Sequence, residues 1–266
     1  MTAKYASLLF VPADRPERVV KALASSAGMV CIDLEDAVAP DAKDVGRSAV
    51  IELLKTRRDE RVAVRINPVT KRAGLADLLA LADAPLATLL VPMVEQPAEL
   101  AVVRGALGDQ VALIPLVETV AGLRAATAIA CAPGVSAIMF GGGDFSAQLG
   151  VALEWEPLLV ARSMLVMAAA EAGVPAIDVP FVRLGDPAGL AGECARARAL
   201  GFAAKAAIHP EQVAAIHEAF AVGEAERDDA RAALAAWRAG GGGAVRWNGR
   251  MLEAPLIARL RHLIGE

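Results

Sequence analysis

At 266 residues, with 56% hydrophobic content and a formal net charge of −4, the chain has enough apolar material for one large α/β domain or two small ones, and the composition excludes a disordered protein. Its 27 lysines and arginines are spread along the chain rather than gathered in runs, which excludes a nucleic-acid surface and points to small-molecule partners. Cys31, Cys131 and Cys194 are odd in number, far apart and without a CxxC pair, the pattern of buried thiols in a reducing cytoplasm rather than of a zinc site.

The opening stretch, MTAKYASLLFVPADRPERV, reaches charged residues before any long apolar run, so neither a signal peptide nor a membrane span is expected and the protein reads as cytoplasmic. Short apolar, β-branched runs then recur along the chain: SLLFVPA, MVCIDLED, RVAVRIN, ATLLVPM, VALIPLVE, SAIMFGGGD, PAIDVP and AAKAAIHP. Between them lie helix-like segments, clearest at 15–26, 97–107, 119–130 and 156–173. Continuous rather than alternating apolar runs suit parallel strands buried on both faces, and eight βα units predict a (β/α)8 TIM barrel, with a doubly wound open sheet as the rival. The barrel is expected over 1–223. Residues 224–266 then read as a helical C-terminal extension containing a Gly-rich linker at 240–243.

In such a barrel the chemistry sits at the C-terminal ends of the strands. Those ends supply Asp33, Glu35 and Asp36, then Arg65 and Asn67, Glu95, Glu118, Asp144, and finally Lys205 and His209. They are expected to converge at one mouth. Glu95 reads as helix-start chemistry, His209 as a packed or loop-bonded residue, and His217 and His262 as surface positions in helical patterns. Glu118 and Asp144, two carboxylates on adjacent strands with oxygen donors alone, suit a hard cation such as Mg2+, which takes few protein ligands. Arg65 offers a planar fork to a substrate carboxylate, so the set implies an anionic oxy-acid. The three glycines of FGGGDF are expected to let a ligand approach the main chain, to end the strand in conformations closed to other residues, and to deliver Asp144 into open space. A phosphate cradle fits less well, because the stretch has neither the P-loop lysine nor the GxGxxG spacing.

The motifs LFVPADRPERVVKAL, CIDLEDAVAPDAK, VRINP, LIPLVETVAGL, FGGGDF and KAAIHPEQV, in that order, resemble the citrate lyase β-subunit-like proteins of the HpcH/HpaI aldolase superfamily, which include malyl-CoA and citramalyl-CoA lyases. The resemblance runs from about residue 7 to 222, with a weaker echo at 247–262. It implies a carbon–carbon lyase acting on a coenzyme A thioester, with Mg2+ on Glu118 and Asp144 and with Glu35 and Asp36 positioning metal-bound waters. It further implies Arg65 on the 2-oxo acid portion, and Arg15 and Lys21 on the coenzyme A phosphates. A homo-oligomer, trimer or hexamer, and an acyl-carrier protein in place of coenzyme A belong to the same implication. In larger relatives the tail carries an aspartate into a neighbouring subunit's mouth for proton transfer, and the matching residue here is Glu253. Around the eighth-strand lysine the family more often shows Gly and Trp, where this chain has Ala204 and Ala206. Two other readings stand beside this one: an aldolase of free 4-hydroxy-2-oxo acids, and a non-catalytic subunit of an acyl-carrier complex.

Overall fold

Each of the eight apolar runs forms a strand in the computed structural model, which describes residues 5–265 apart from the side chain of His262. The strands are β1 (Ser7–Pro12), β2 (Met29–Asp33), β3 (Val62–Arg65), β4 (Thr88–Val91), β5 (Ala112–Val117), β6 (Ile138–Phe140), β7 (Ala176–Asp178) and β8 (Ala204–Ala207). They pair in parallel in sequence order, and β8 closes on β1 with Ser7 opposite Lys205 and Leu9 opposite Ala207. That closure makes the fold a (β/α)8 barrel and excludes the open sheet.

The barrel's helices are α1 (Pro16–Ala24), α2 (Lys43–Thr56), α3 (Arg72–Leu81), α4 (Pro97–Leu107), α5 (Val120–Arg124), α6 (Ala126–Ala130), α7 (Gly142–Leu149), α8 (Trp155–Ala172), α9 (Pro187–Leu200) and α10 (Gln212–Phe220). Two differ from expectation. The segment read as one helix over 119–130 is two short ones, broken where Ala125 leaves helical geometry at φ −95°, ψ 2°. The glycines after β6 begin a helix rather than a loop, since α7 starts at Gly142 and carries Asp144 in its first turn.

Strand periodicity decides what faces the site. Leu8, Met29, Cys31, Ala63, Leu90, Ile114, Leu116, Met139, Ile177, Ala204 and Ala206 form one buried cluster inside the barrel. Their strand neighbours Leu9, Val30, Ile32, Val62, Val64, Leu89, Leu113 and Ile138 belong to the larger cluster between strands and helices. Because side chains alternate along a strand, Asp33 and Arg65 share the inward parity of Cys31 and Ala63, and Glu118 that of Leu116. Asp178 and Lys205 have the opposite parity and face the helix layer.

A second compact unit spans Ala221–Glu266, the first spanning Met1–Phe220. It holds α11 (Glu224–Ala239), a hairpin of β9 (Val245–Trp247) and β10 (Arg250–Leu252), and α12 (Ala254–Ile264). The extension is therefore not wholly helical. Asn248 and Gly249, both at positive φ, turn the hairpin in the way an Asn-Gly pair favours. Gly240 leaves no room for a side chain beside Val245, and Gly242 lies against Trp237, so the glycine run is a packed turn inside this unit rather than a free tether. Ala233, Leu234, Leu252 and Ile257 form the unit's small core.

Candidate active site

The end of β2 and the end of β3 are joined by one side chain pair. Arg65 donates from Nε to Asp33 Oδ1 at 2.7 Å and from Nη2 to Asp33 Oδ2 at 2.6 Å, a bidentate bridge in which Asp33 is 1% exposed. The same carboxylate accepts from the backbone N–H groups of Glu35 and Ala37, at 2.9 and 3.2 Å, and so shapes the loop that follows. Asp33 thus acts as both loop cap and ion partner. Phe10, inward on β1, covers the guanidinium at 4.9 Å.

One edge of Arg65 is committed to Asp33; Nη1 remains, 2.7 Å from Glu35 Oε2 and 3.8 Å from Asp36 Oδ2. The Nη1–Glu35 approach is too far out of line for a hydrogen bond, and Glu35 Oε2 is buried without a hydrogen-bond partner. The loop itself is held from behind. Lys43 Nζ donates to the carbonyls of Leu34 and Glu35 at 2.7 and 2.5 Å, and Asn67 Nδ2 donates to Leu34 O at 3.0 Å and to the buried Asp77 at 2.7 Å.

Glu118, 4% exposed, sits one residue beyond β5. Its Oε1 accepts from the backbone N–H of Met93 at 3.0 Å, and Asp144 stands within hydrogen-bonding reach. Gly141 makes this possible: a Cβ there would overlap Glu118 Cγ and lie 2.6 Å from its Oε2. None of residues 141–143 has positive φ, which corrects the expectation of a special strand-ending conformation. Gly141 is a matter of space for Glu118, Gly142 is packed against Leu153 and Phe140, and Gly143 faces open space.

Five acids, Asp33, Glu35, Asp36, Glu118 and Asp144, are thus grouped around Arg65. Burial pushes the Glu35 carboxyl up to about 9, against the pull of Arg65 and with added repulsion from Glu118. Glu118 is pushed up to about 7, first by burial, then by Asp144, with the Met93 N–H and Arg65 opposing. Asp36 is raised by burial and by Asp144, with Arg65 again opposing. Burial works against the Arg65 charge, but the hydrogen bonds and charge of Asp33 and the charge of Glu35 outweigh it and raise its pKa. Carboxylates held close in a buried site, with more acid than the one guanidinium neutralises, are the condition a small hard cation relieves. Among the described residues no three His, Cys, Asp or Glu side chains form a ready metal cage, so the donor set fits an ion that keeps most of its waters, as Mg2+ does.

The other predicted positions divide. Arg15 is exposed at the start of α1, its Nε 3.8 Å from Asp14 Oδ2. Lys21, on α1, lines a cavity of about 340 Å3 with Arg18, Phe10, Ile208 and His209. Arg18 had no signal of its own, being one turn from Lys21 in an amphipathic helix. His209 also lines a second cavity of about 350 Å3 with Arg183 and Gln212, its ring 3.5 Å from Glu211. Lys205 does not join the mouth. It is fully buried outside the barrel wall, donating to Asp178 Oδ2, Val179 O and Glu193 Oε1 at 2.6, 2.7 and 2.7 Å, because strand parity turns it outward. His217 is half-buried rather than on the surface, 2.7 Å from Ser7 Oγ, while the His262 side chain lies outside the described residues. Glu253 is exposed in the second unit, just ahead of α12, its carbonyl accepting from Ile257 N at 3.1 Å. Asp33 and Met93 are the residues the motifs did not single out for a role at this site; parity marks Asp33, whereas nothing local marks Met93.

The family model described as HpcH/HpaI aldolase/citrate lyase matches residues 6–210. The chain belongs to that family. A second model, C-C_Bond_Lyase of the TIM-barrel fold, matches 169–257. The citrate lyase subunit beta-like protein of Deinococcus radiodurans is 34% identical, over 97% of this chain and 95% of its own. Human mitochondrial citramalyl-CoA lyase is 29% identical over 97% and 84%. Among solved structures, CitE of Mycobacterium tuberculosis in complex with magnesium, acetoacetate and coenzyme A superposes with a TM-score of 0.86 at 33% identity, covering 98% of both chains. The chain is accordingly a member of a family of carbon–carbon lyases and aldolases. No helix among the described residues is long and apolar enough to cross a membrane.

Proposed function

We propose that this chain is a Mg2+-dependent carbon–carbon lyase that cleaves a 3-hydroxy-3-carboxylic acyl-CoA, of the malyl, citramalyl or citryl type, to an acetyl thioester and a 2-oxo acid, and runs reversibly. The observation that carries this is the pairing of Glu118 with Asp144 beside Arg65, with the buried Glu35 Oε2, ion-paired to Arg65 but without a hydrogen bond, at the same mouth. Glu118 and Asp144 would hold Mg2+, and Glu35 and Asp36 its waters. When bound, the ion supplies charge that lowers the pKa of the substrate hydroxyl and polarises the carbonyl formed from it. Arg65, fixed by Asp33, directs Nη1 at the substrate carboxylate and at negative charge that develops as the bond breaks. The cavity lined by Arg18 and Lys21, with exposed Arg15 on the same helix, suits the phosphates of coenzyme A.

Protonation of the acetyl-thioester enolate requires an acid, and Glu253 of a neighbouring copy is assigned that role in a homo-oligomer, trimeric or hexameric. Glu253→Gln is expected to lower turnover at least tenfold; a rate near wild type removes the assignment. An acyl-carrier protein remains the alternative carrier, distinguished by whether free coenzyme A thioesters are turned over.

The test is a panel of acyl-CoA thioesters with Mg2+, scoring the 2-oxo acid released. A Cereibacter sphaeroides relative named (3S)-malyl-CoA thioesterase, 30% identical over 98% of this chain, supports one second reading, hydrolysis of the thioester. Free coenzyme A appearing without a 2-oxo acid would favour it. Turnover of free 4-hydroxy-2-oxo acids in preference to thioesters would favour an aldolase.

A further inference from the structure

Among the described residues, two that are not glycine have positive φ: Asn248, which the hairpin turn accounts for, and Met93, at φ 54°. A long, unbranched side chain gains nothing from the left-handed region, and isolated strain of this kind persists only where its surroundings enforce it. The surroundings of Met93 do so on every side. Its own N–H donates to Glu118 Oε1 at 3.0 Å. The next residue, Val94, donates to Leu116 O at 3.2 Å, and its carbonyl occupies space that only a glycine at 122 leaves, since a Cβ there would lie 2.5 Å away. Thr119 Oγ1 donates to Glu95 Oε1 at 2.8 Å while accepting from Gly122 N at 3.0 Å. The segment after β4 is therefore stitched to the end of β5 and the residues that follow it at three successive positions, and the left-handed turn at Met93 aims one amide at Glu118.

We propose that Met93 is a positioning residue whose strained backbone fixes the Glu118 carboxylate, Oε1 by its amide and Oε2 by the bare Cα of Gly141 opposite, so that the acid meets a cation in one orientation. The effect is one of orientation: without the amide Glu118 remains a carboxyl group but is no longer held. The inference rests on the reading of Glu118 as a cation ligand for its consequence, and on the geometry alone for the hold itself.

The hold is tested by hydrogen exchange at single amides. In Glu118→Ala the Met93 amide is expected to exchange at least tenfold faster than in the wild type, while the Val94 amide, bonded to Leu116, keeps its rate. Acceleration of both together, or of neither, overturns the proposal. The consequence is tested by calorimetric Mg2+ titration of Met93→Gly and Met93→Val, each checked for a cooperative unfolding transition. Glycine accepts positive φ and keeps the N–H, whereas β-branched valine resists it. Valine is expected to weaken Mg2+ binding at least tenfold more than glycine; equal affinities for the two overturn the positioning role. A wild-type protein that binds no Mg2+ refutes the metal reading instead, and the exchange experiment still decides the hold.

Discussion

The barrel carries two buried ionic clusters that use the same residue types to opposite ends. Outside the wall, Lys205 and Arg162 face Asp178 and Glu193. Lys205 makes three contacts of 2.6–2.7 Å, and Arg162 Nε reaches Asp178 Oδ1 at 2.9 Å with its guanidinium over the rings of Phe140 and Trp155. Burial alone would raise the Asp178 pKa, but Lys205 and Arg162 together lower it. At the mouth, five acids gather around Arg65, and burial raises Glu35, Glu118 and Asp36. The outer cluster has its charges matched, two cations to two acids, although Arg162 Nη1 is buried without a hydrogen-bond partner, and it is a fixture of the fold. A cluster with surplus acid is held at a cost to stability and awaits a positive charge.

The largest effect should come from the open cluster. Glu118→Gln keeps the side-chain shape and removes the charge proposed to hold Mg2+, so Mg2+-dependent turnover should fall by at least about 10³-fold, roughly 4 kcal/mol, with the thermal midpoint unchanged or raised. Unaltered Mg2+ binding in this variant would break the comparison. The closed cluster should respond the other way. Lys205→Met leaves the buried Asp178 with Arg162 alone and deprives the half-buried Glu193 of its cation, and is expected to destabilise the barrel by about 3 kcal/mol, read as a lowered denaturation midpoint. A loss of less than 1 kcal/mol would mean that the cluster is not the structural fixture described.

A smaller change separates charge from geometry. Arg65→Lys keeps the positive charge but cannot span both oxygens of Asp33 while presenting a further donor, so kcat/KM should drop about tenfold or more, about 1.4 kcal/mol. Near-normal kinetics would refute the role of the fixed fork. A gradual effect is one of pH without added metal. Glu118 and Glu35 have folded pKa values above their unfolded ones, so the folded state binds more protons. Their contribution to stability is fullest below about pH 4.5 and declines as pH rises, through about 7 for Glu118 and about 9 for Glu35. The slope is at most about 1.4 kcal/mol per pH unit for each group. Glu118→Gln should flatten the decline between pH 4.5 and 7; an unchanged profile would remove Glu118 as its source.

How much of this was legible in advance varies with how local the cause is. The eight strands and the barrel followed from apolar runs of strand length separated by helical patterns, because burial on both faces leaves a composition signature. The hairpin at 245–252 had a local signal as well, Asn248-Gly249, which a reading focused on helical periodicity passed over. Lys205 departs from expectation for a related reason: it stands between Ala204 and Ala206, which face the barrel interior, so alternation along β8 turns it outward.

From residue types alone the sequence determined the family, the barrel and a set of acids and one arginine at the strand ends, since those depend on hydrophobic period and chemistry at fixed positions. The tertiary structure decided the pairings. Asp33 and Arg65 are 32 residues apart, Met93 and Glu118 are 25 apart, and Glu118 owes its space to the absence of a side chain at Gly141. Such contacts arise only when the closed sheet brings neighbouring strand ends within a few ångströms, and no periodicity within one segment encodes which amide or carboxylate it will meet.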